Sequence, residues 1–202
     1  MNKQHLNIYI VDDDEGVRRS LVMLLHAQGH ALRAFDSGES FLDQVDARQT
    51  GCVILDLRMG GISGIEVFDQ LLARRSPLVV LFLSGHGDIE LAIEQVKKGA
   101  FDWIEKPSTP QVLAKIGPAM DRAADRAQAM QRWSNLTTRE QEVARLVALG
   151  GTSKEIARRL VPECDFRTVE NHRARVFEKL HLGGAAELHG WIAGHRWLTD
   201  LG

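Results

Sequence analysis

The sequence contains only two cysteines, Cys52 and Cys164, among its 202 residues. They lie far apart and match no metal-binding spacing, so they imply neither a disulfide framework nor a zinc site. No apolar run approaches the ~18 residues that span a bilayer, and residues 1–6 lack the long apolar stretch of a secretory signal. We therefore predict a cytoplasmic protein that has no membrane partner.

The composition and length are those of an ordinary folded protein with room for two small domains. Hydrophobic residues make up 44% and charged residues 26% of the chain, which argues against a disordered protein. Residues 1–108 carry 11 Lys and Arg against 16 Asp and Glu, whereas residues 134–202 carry 10 against 9. An acidic first half and a mildly basic remainder suit a metal- or phosphate-handling domain joined to a unit that meets a polyanion.

Short apolar runs alternate with amphipathic stretches through the first half. The predicted strands are Ile8–Val11, Ala31–Phe35, Cys52–Leu55, Leu78–Leu83 and Phe101–Ile104. The predicted helices between them are Val17–His26, Ser40–Ala47, Ile65–Arg74 and Ile89–Lys98. Strands separated by helices of about ten residues indicate a doubly wound sheet. We predict a flavodoxin-like α/β domain with a five-stranded parallel sheet in the order 2-1-3-4-5.

From Thr109 onwards only helical patterns occur. Gln111–Ile116 predicts a fifth helix, Gly117-Pro118 a bend or boundary, and Ala119–Trp133 an alanine-rich helical linker. Four short helices then predict an all-α second domain with one helix-turn-helix pair. They are a helix through Leu149 capped by Thr137 or Thr138, Lys154–Leu160 capped by Ser153, Arg167–His181, and Ala185–His195.

Polar groups stand at the ends of four predicted strands. Strand one runs into Asp12-Asp13-Asp14, strand three into Asp56, strand four into Ser84, and strand five into Lys106. In a doubly wound sheet, ligands bind beyond the carboxyl ends of the strands, where the strand order reverses. Because strands one and three are neighbours, we expect their carboxylates to converge, with Lys106 and the Ser84 hydroxyl arriving from the other side.

This cluster predicts metal-assisted phosphate chemistry. Clustered carboxylates repel one another unless a cation joins them, and oxygen ligands with room for water suit Mg²⁺. Asp56, presented centrally by a strand end, is the best candidate for a nucleophile that attacks a phosphoryl group. Lys106 would supply positive charge to a phosphoryl oxygen, and Ser84 a hydrogen-bond donor. Each element alone occurs in ordinary turns and caps, so the prediction depends on their order along the chain.

With these strand ends, the first half resembles the receiver domain of two-component response regulators. The resemblance covers residues from about 6 to 120. The stretches that carry it are Val11-Asp12-Asp13-Asp14-Glu15, Leu55-Asp56-Leu57-Arg58-Met59, Ser84-Gly85-His86-Gly87-Asp88 and Phe101-Asp102-Trp103-Ile104-Glu105-Lys106-Pro107. It implies that Asp56 takes a phosphoryl group from a sensor histidine kinase or a small phosphodonor. It also implies that Asp13, Asp56 and the backbone carbonyl of Arg58 coordinate Mg²⁺, with Asp12 acting through water.

The same resemblance implies how phosphorylation is transmitted. Ser84 would move toward the phosphoryl group and the switch aromatic, here Trp103, would rotate inward behind it. A cis bond before Pro107 would help to aim Lys106. The family usually has proline where this chain has Gly60, and Tyr or Phe where it has Trp103. These departures predict a looser loop beyond Asp56 and a less freely rotating aromatic.

The predicted helix Arg167–His181 has one apolar and one polar side. At 100° per residue, Val176 and Leu180 fall within about 20° of Val169 and form an apolar stripe. The opposite face carries Asn171, Ala174, Arg175 and Glu178, with Arg167 at its start. Such a face suits the major groove of DNA, although composition alone favours an ordinary amphipathic helix with a solvated face.

The wider pattern resembles the LuxR-type DNA-binding domain of the NarL/FixJ regulators. In the first half, Gly85-His86-Gly87-Asp88 and Ile104-Glu105-Lys106-Pro107 make the FixJ branch the closer likeness. The LuxR-type resemblance spans roughly residues 134–195 and depends on Leu136-Thr137-Thr138-Arg139-Glu140-Gln141-Glu142-Val143, Ser153-Lys154-Glu155-Ile156-Ala157 and Thr168-Val169-Glu170-Asn171-His172-Arg173-Ala174-Arg175-Val176. By this likeness Arg167–His181 is the recognition helix. Asn171, Ala174 and Arg175 would lie near base edges, and Lys154, Thr168 and Arg173 near phosphates. The preceding turn, Val161–Arg167, has seven residues where the family typically has five.

We therefore predict a phosphorylation-controlled, DNA-binding transcription regulator that is not an enzyme apart from its own phosphorylation and dephosphorylation. Its domains would be a receiver at 1–120, a helical linker at 121–135 and a LuxR-type helix-turn-helix domain at 136–202. Phosphorylation would produce a homodimer on double-stranded promoter DNA, with RNA polymerase as a further partner left open. Two alternatives remain: regulation independent of phosphate, and a Mg²⁺-dependent phosphohydrolase, against which Arg58 stands where such enzymes place a second acid.

Overall fold

The computed structural model describes residues 6–85, 89–106 and 109–199. Contacts divide the chain into two compact units, one that ends at Ala127 and one that begins at Gln128. Among the described helices none is both long and apolar enough to cross a membrane. The cis bond expected before Pro107 lies outside the described residues, as does the motif segment His86–Asp88.

The first unit is built on a parallel sheet whose strands follow the order β2-β1-β3-β4-β5, which confirms the predicted flavodoxin-like topology. The strands are β1 (Asn7–Val11), β2 (Ala31–Phe35), β3 (Gly51–Asp56), β4 (Val79–Ser84) and β5 (Asp102–Glu105). In the register of the sheet, Val11 of β1 lies beside Leu55 of β3. The next residues of the two strands, Asp12 and Asp56, therefore come side by side at the carboxyl edge.

Alternate residues of the strands face two separate cores. Along β1, Ile8 and Ile10 belong to one core and Tyr9 and Val11 to the other. The first core is covered by α1 (Glu15–His26) and α5 (Thr109–Ser134), and the second by α2 (Gly38–Gln44), α3 (Gly64–Ala73) and α4 (Ile89–Lys98). Because β3 and β4 are buried throughout, they appear in the sequence as continuous apolar runs.

Local features at the helix ends explain why α1 and α2 differ from their predicted bounds. Asp14 accepts a hydrogen bond from the Val17 N–H at 3.0 Å, and α1 therefore starts at Glu15 rather than at Val17. The second helix ends at Gln44, three residues before the predicted end, because the buried Val45 takes an extended conformation. Both effects are local, so the order and type of the elements are as predicted.

The fifth helix passes through the position where the sequence predicts a bend or boundary. It is continuous from Thr109 to Ser134 with Pro118 inside it, so the boundary predicted at Gly117-Pro118 is wrong. A proline removes one N–H donor and leaves the carbonyl four residues earlier, that of Ala114, without its helical partner. Because Ala114, Gly117 and Pro118 are all exposed, water can bind this carbonyl and the helix continues.

The second unit is helical, as predicted, and contains the end of α5. The helices that follow are α6 (Thr138–Ala148), α7 (Ser153–Arg159), α8 (Phe166–Leu180) and α9 (Ala185–Gly194), with a short 3-10 turn at Arg196–Leu198. Their core includes Val143, Ile156, Val169, Val176 and Leu188. Ser153 is not the cap of α7, contrary to the sequence-based prediction. Thr152 takes that role in a reciprocal capping box with Glu155, because its side chain lies one residue outside the first helical turn.

A buried carboxylate ties three parts of the second unit together. Glu140, only 2% exposed, accepts a hydrogen bond from the Thr137 N–H at 2.8 Å and contacts the Lys179 Nζ at 2.7 Å. Burial alone would raise the pKa of Glu140, but the Lys179 ammonium and the Thr137 donors together lower it. The ionised carboxylate therefore stabilises the packing of α6 against α8. That stabilisation is present above the ordinary pKa of 4.5 and is lost as the pH falls through the lowered value.

Replacing Glu140 with Gln is expected to lower the free energy of unfolding of the second unit by about 1–3 kcal/mol at pH 7, because the Lys179 ammonium loses its charged partner. The difference between wild type and E140Q should shrink below pH 4.5, where the wild-type carboxylate becomes protonated. Native-state amide hydrogen exchange in α6 and α8 of the full chain measures both effects. The control is E178Q, at an exposed position of α8. An equal loss of protection in both variants would contradict the assignment.

Candidate functional site

Three carboxylates meet at the carboxyl edge of the sheet. Asp12 follows β1, Asp56 ends β3, and Asp13 stands next to them on the loop. One carboxylate oxygen from each of the three lies within 4.8 Å of the other two. Asp12 is 0% and Asp56 5% exposed, whereas Asp13 is exposed to solvent. The site therefore consists of two buried carboxylates and one that is open to solvent.

Asp12 is fixed in place by its own loop and by the first helix. The Asp14 N–H donates to its Oδ1 at 2.9 Å, and the Arg18 guanidinium donates to its backbone carbonyl at 2.7 Å. Sequence reasoning did not identify Arg18, since a cation in the first turn of an amphipathic helix normally points to solvent. With Oδ1 held by Asp14, the second carboxylate oxygen, Oδ2, lies next to the Lys106 ammonium.

The loop after β3 is tied to Asp13 by a backbone donor. The Gly60 N–H donates to the Asp13 Oδ2 at 2.9 Å. Proline has no N–H and could not make this bond. The departure from the family pattern at Gly60, which predicted a looser loop, thus supplies a hydrogen bond that holds the loop to the acidic site.

Lys106 supplies the charge that the buried carboxylates need. Its Nζ lies 2.7 Å from Asp12 Oδ2 and 2.8 Å from Asp56 Oδ2. Burial raises the pKa of Asp56, helped by the charge of Asp12 and opposed by Lys106. Burial alone would lower the pKa of Lys106, but its two carboxylate partners outweigh that effect and raise it. The three groups form one bridged unit that carries a net negative charge when both carboxylates are ionised.

The donor set fits a hard divalent cation. All three side chains offer carboxylate oxygen, the ligand type that Mg²⁺ prefers, and the open side at Asp13 leaves room for water. Arg58, exposed at the start of the loop, donates its N–H to Asp56 Oδ1 at 3.3 Å. The role of its backbone carbonyl as a metal ligand stays a prediction.

Ser84 and Trp103 lie on the two strands next to the acidic site. Ser84, at the end of β4, is fully buried, and its hydroxyl donates to the Ile104 carbonyl at 3.4 Å. Trp103 is half-buried, packs against the core that contains Phe82, and is paired with that residue across the sheet. Ser84 thus contacts Ile104 of β5, and Trp103 is paired with Phe82 of β4.

The second unit presents one face of α8 to solvent. Val169, Val176 and Leu180 are 0% exposed, which confirms the predicted apolar stripe. The opposite face is exposed, as is Lys154 on α7; the exposed candidates on α8 are Arg167, Thr168, Asn171, Ala174 and Arg175. Arg173 differs from this set, because it is half-buried, donates to the Gly151 carbonyl at 3.4 Å and lies over the Phe177 ring.

The long turn before α8 is held by an arginine that sequence reasoning missed. Arg139 of α6 donates to the carbonyls of Val161 and Pro162 at 3.3 and 2.7 Å and pairs with Glu142 at 2.9 Å. The Val161 side chain itself is 86% exposed. Val161 and Pro162 are therefore exposed to solvent while their backbone carbonyls are bonded to α6.

Two family descriptions match the chain, one for each unit. Residues 8–116 match the response regulator receiver domain, and residues 134–191 match the bacterial regulatory proteins of the luxR family. The tetrathionate response regulatory protein TtrR of Salmonella typhimurium is 40% identical over 185 residues, which cover 90% of this chain and 89% of that protein. The transcriptional regulatory protein FixJ of Bradyrhizobium diazoefficiens is 36% identical over 190 residues, which cover 90% and 92%.

Solved structures agree with these relatives. The full-length FixJ structure from B. japonicum has a TM-score of 0.57 and 34% identity, and the match covers 96% of this chain and 98% of that one. By their names, the relatives that match this chain over most of their length are response regulatory or transcriptional regulatory proteins. The chain belongs to this family, the two-component response regulators that join a receiver domain to a LuxR-type DNA-binding domain.

Proposed function

We propose that Asp56 is the phosphoacceptor of this regulator and that a sensor histidine kinase in the cytoplasm supplies the phosphoryl group. The observation that carries the proposal is the geometry of Asp56: a nearly buried carboxylate bridged by Lys106 and set in a cluster of three carboxylates. The receiver would comprise residues 1–120, the linker 121–135 and the DNA-binding domain 136–202.

The residues of the pocket would divide the reaction between them. A carboxylate oxygen of Asp56 attacks the phosphorus as the bond to the donor breaks, which leaves a phosphoryl group on that oxygen. Asp13, Asp56 and the Arg58 carbonyl, with Asp12 acting through water, would hold a Mg²⁺ ion whose charge offsets the added negative charge. The Lys106 ammonium would exchange its contact with the Asp56 carboxylate for a contact with a phosphoryl oxygen.

The conformational response would begin at Ser84. Its hydroxyl now donates to the Ile104 carbonyl, and a phosphoryl oxygen would offer a stronger, charged acceptor. Movement of Ser84 toward that acceptor leaves room on the β5 side, into which Trp103 would rotate. The face made by α4 and β5 would then dimerise, and paired DNA-binding domains would occupy two half-sites of promoter DNA.

Phosphorylation should change both mass and assembly. Wild type treated with acetyl phosphate and Mg²⁺ is expected to gain one phosphoryl group by intact mass spectrometry, to become a dimer by light scattering, and to bind DNA more tightly. D56N should show none of the three, because its amide is not a nucleophile. D43N, at an exposed position of α2, is the control and should behave as wild type.

Two outcomes would contradict the proposal. Full regulation by D56N in cells would favour control independent of phosphate. Steady turnover of a phosphomonoester by the wild type would revive the phosphohydrolase alternative.

Magnesium binding should depend on the acidic cluster. D13N is expected to weaken the Mg²⁺ affinity measured by isothermal titration calorimetry at least about tenfold, because even second-shell changes commonly cost that much. D43N again serves as the control. Equal affinities in wild type and D13N would exclude Asp13 as a ligand.

The DNA-binding candidates should separate into two classes. On a site obtained by binding-site selection, R175A is expected to lower the specific affinity about 5- to 150-fold, because a lost base contact removes about 1–3 kcal/mol of discrimination. K154A should weaken specific and non-specific binding alike and reduce the salt slope by about one. R74A, a cation on the receiver, is the control. Salt titrations of fluorescence anisotropy measure all four proteins, and an unchanged specificity ratio in R175A would remove that residue from the base-contact set.

A further inference from the structure

The ammonium of Lys115, on α5, contacts three different groups of β5. Its Nζ lies 2.8 Å from the Asp102 Oδ2, donates to the Trp103 backbone carbonyl at 2.5 Å, and lies 5.6 Å from the centroid of the Trp103 ring. A single ammonium thus touches both the backbone and the indole of the switch aromatic. Neither family resemblance assigns a role to this position.

Two groups of the β5 backbone region, besides the indole, hold the Lys115 ammonium in place. The Asp102 carboxylate accepts the Trp103 N–H at its Oδ1, at 2.8 Å, and contacts Lys115 at its Oδ2. Together with the Trp103 carbonyl, it holds Lys115 Nζ against the backbone of β5. A rotation of the Trp103 side chain leaves these backbone contacts in place and removes only the contact between the ammonium and the ring.

We propose that Lys115 is a positioning residue that holds the Trp103 indole in its present orientation and so sets the level of phosphorylation at which the switch operates. The proposal rests on the proposed function, in which Trp103 rotates after Asp56 is phosphorylated. A cation over a tryptophan face favours that ring position, and tryptophan gives the strongest interaction of this type among the aromatic residues. The free energy of that contact opposes rotation and is lost only in the rotated state.

The contact with Lys115 restrains the Trp103 ring in addition to any effect of its size. The sequence alone suggests that a bulky indole rotates less freely. The structure adds an attractive restraint, because the half-buried ring packs on the core on one side and meets Lys115 on another. Removing the cation should therefore release the ring even though its volume is unchanged.

The chain provides a matched control for this contact. Arg33 on β2 lies over the Phe35 ring at 5.1 Å, at the opposite edge of the same sheet. A change at Arg33 also removes a cation from an aromatic ring of the receiver, but not from the switch residue.

The test uses the full chain labelled with 5-fluorotryptophan, in which comparison with W103F assigns the Trp103 fluorine signal. In the unphosphorylated protein, K115M is expected to raise the ratio of rotated to present ring orientation about two- to fivefold, the factor that matches an exposed cation–π contact. K115R should stay near wild type, since it keeps a cation over the ring, and R33M should leave the Trp103 signal unchanged. K115Q removes the charge in a second way and should match K115M.

A titration with acetyl phosphate then tests the threshold. The half-maximal rise in DNA affinity is expected in K115M at about two- to fivefold lower phosphoryl occupancy of Asp56 than in wild type. An unmoved Trp103 signal in K115M and K115Q, or an equal shift in R33M, would overturn the proposal. Mass spectrometry of the same samples separates the role of Lys115 from the phosphorylation of Asp56. Absence of the aspartyl phosphate in wild type would refute the proposed function. The fluorine spectra of the unphosphorylated proteins would still test Lys115.

Discussion

The bridge between Lys106 and the two buried carboxylates governs the organisation of the receiver. Asp12 and Asp56 lie at adjacent strand ends because β1 and β3 pair in parallel, and their ionised forms would repel one another strongly in this setting. The single ammonium within 2.8 Å of both offsets part of that repulsion. A cation that replaces the Lys106 ammonium therefore changes the charge balance of the whole edge. A phosphoryl oxygen that draws the ammonium away from the carboxylates does the same.

The rest of the receiver can be understood as support for that bridge. The two cores fix the sheet from both faces, so the strand ends cannot move apart without loss of packing. Arg18 and the Asp14 amide orient Asp12, and Gly60 ties the neighbouring loop to Asp13. These contacts hold the carboxylates in a fixed geometry although their negative charges repel one another. A cation can therefore bind without a large rearrangement of the site.

The sequence predicts the features that follow from periodicity and from strand order. The sheet topology, the strand ends that bring Asp12 and Asp56 together, and the buried stripe at Val169 all follow from regular patterns. The contacts of Arg18, Lys115 and Arg139 do not, because a long flexible side chain can reach many partners and its position in a repeat does not select one. The bond from Gly60 is also hidden, since a backbone donor has no residue signature. At Pro118 the local rule for proline failed because the affected carbonyl belongs to an exposed turn of the helix.

The anchoring of the turn in the second unit has a consequence for how such a domain can change. Arg139 binds the backbone carbonyls of Val161 and Pro162 and makes no demand on the side chains at those positions. Residues can therefore be inserted or exchanged at the tip of the turn while the buried stripe of α8 keeps its packing. The length of the turn and the composition of the core can therefore change independently. The approach of α8 to DNA can be altered at its first residues without loss of the stability that its buried stripe provides.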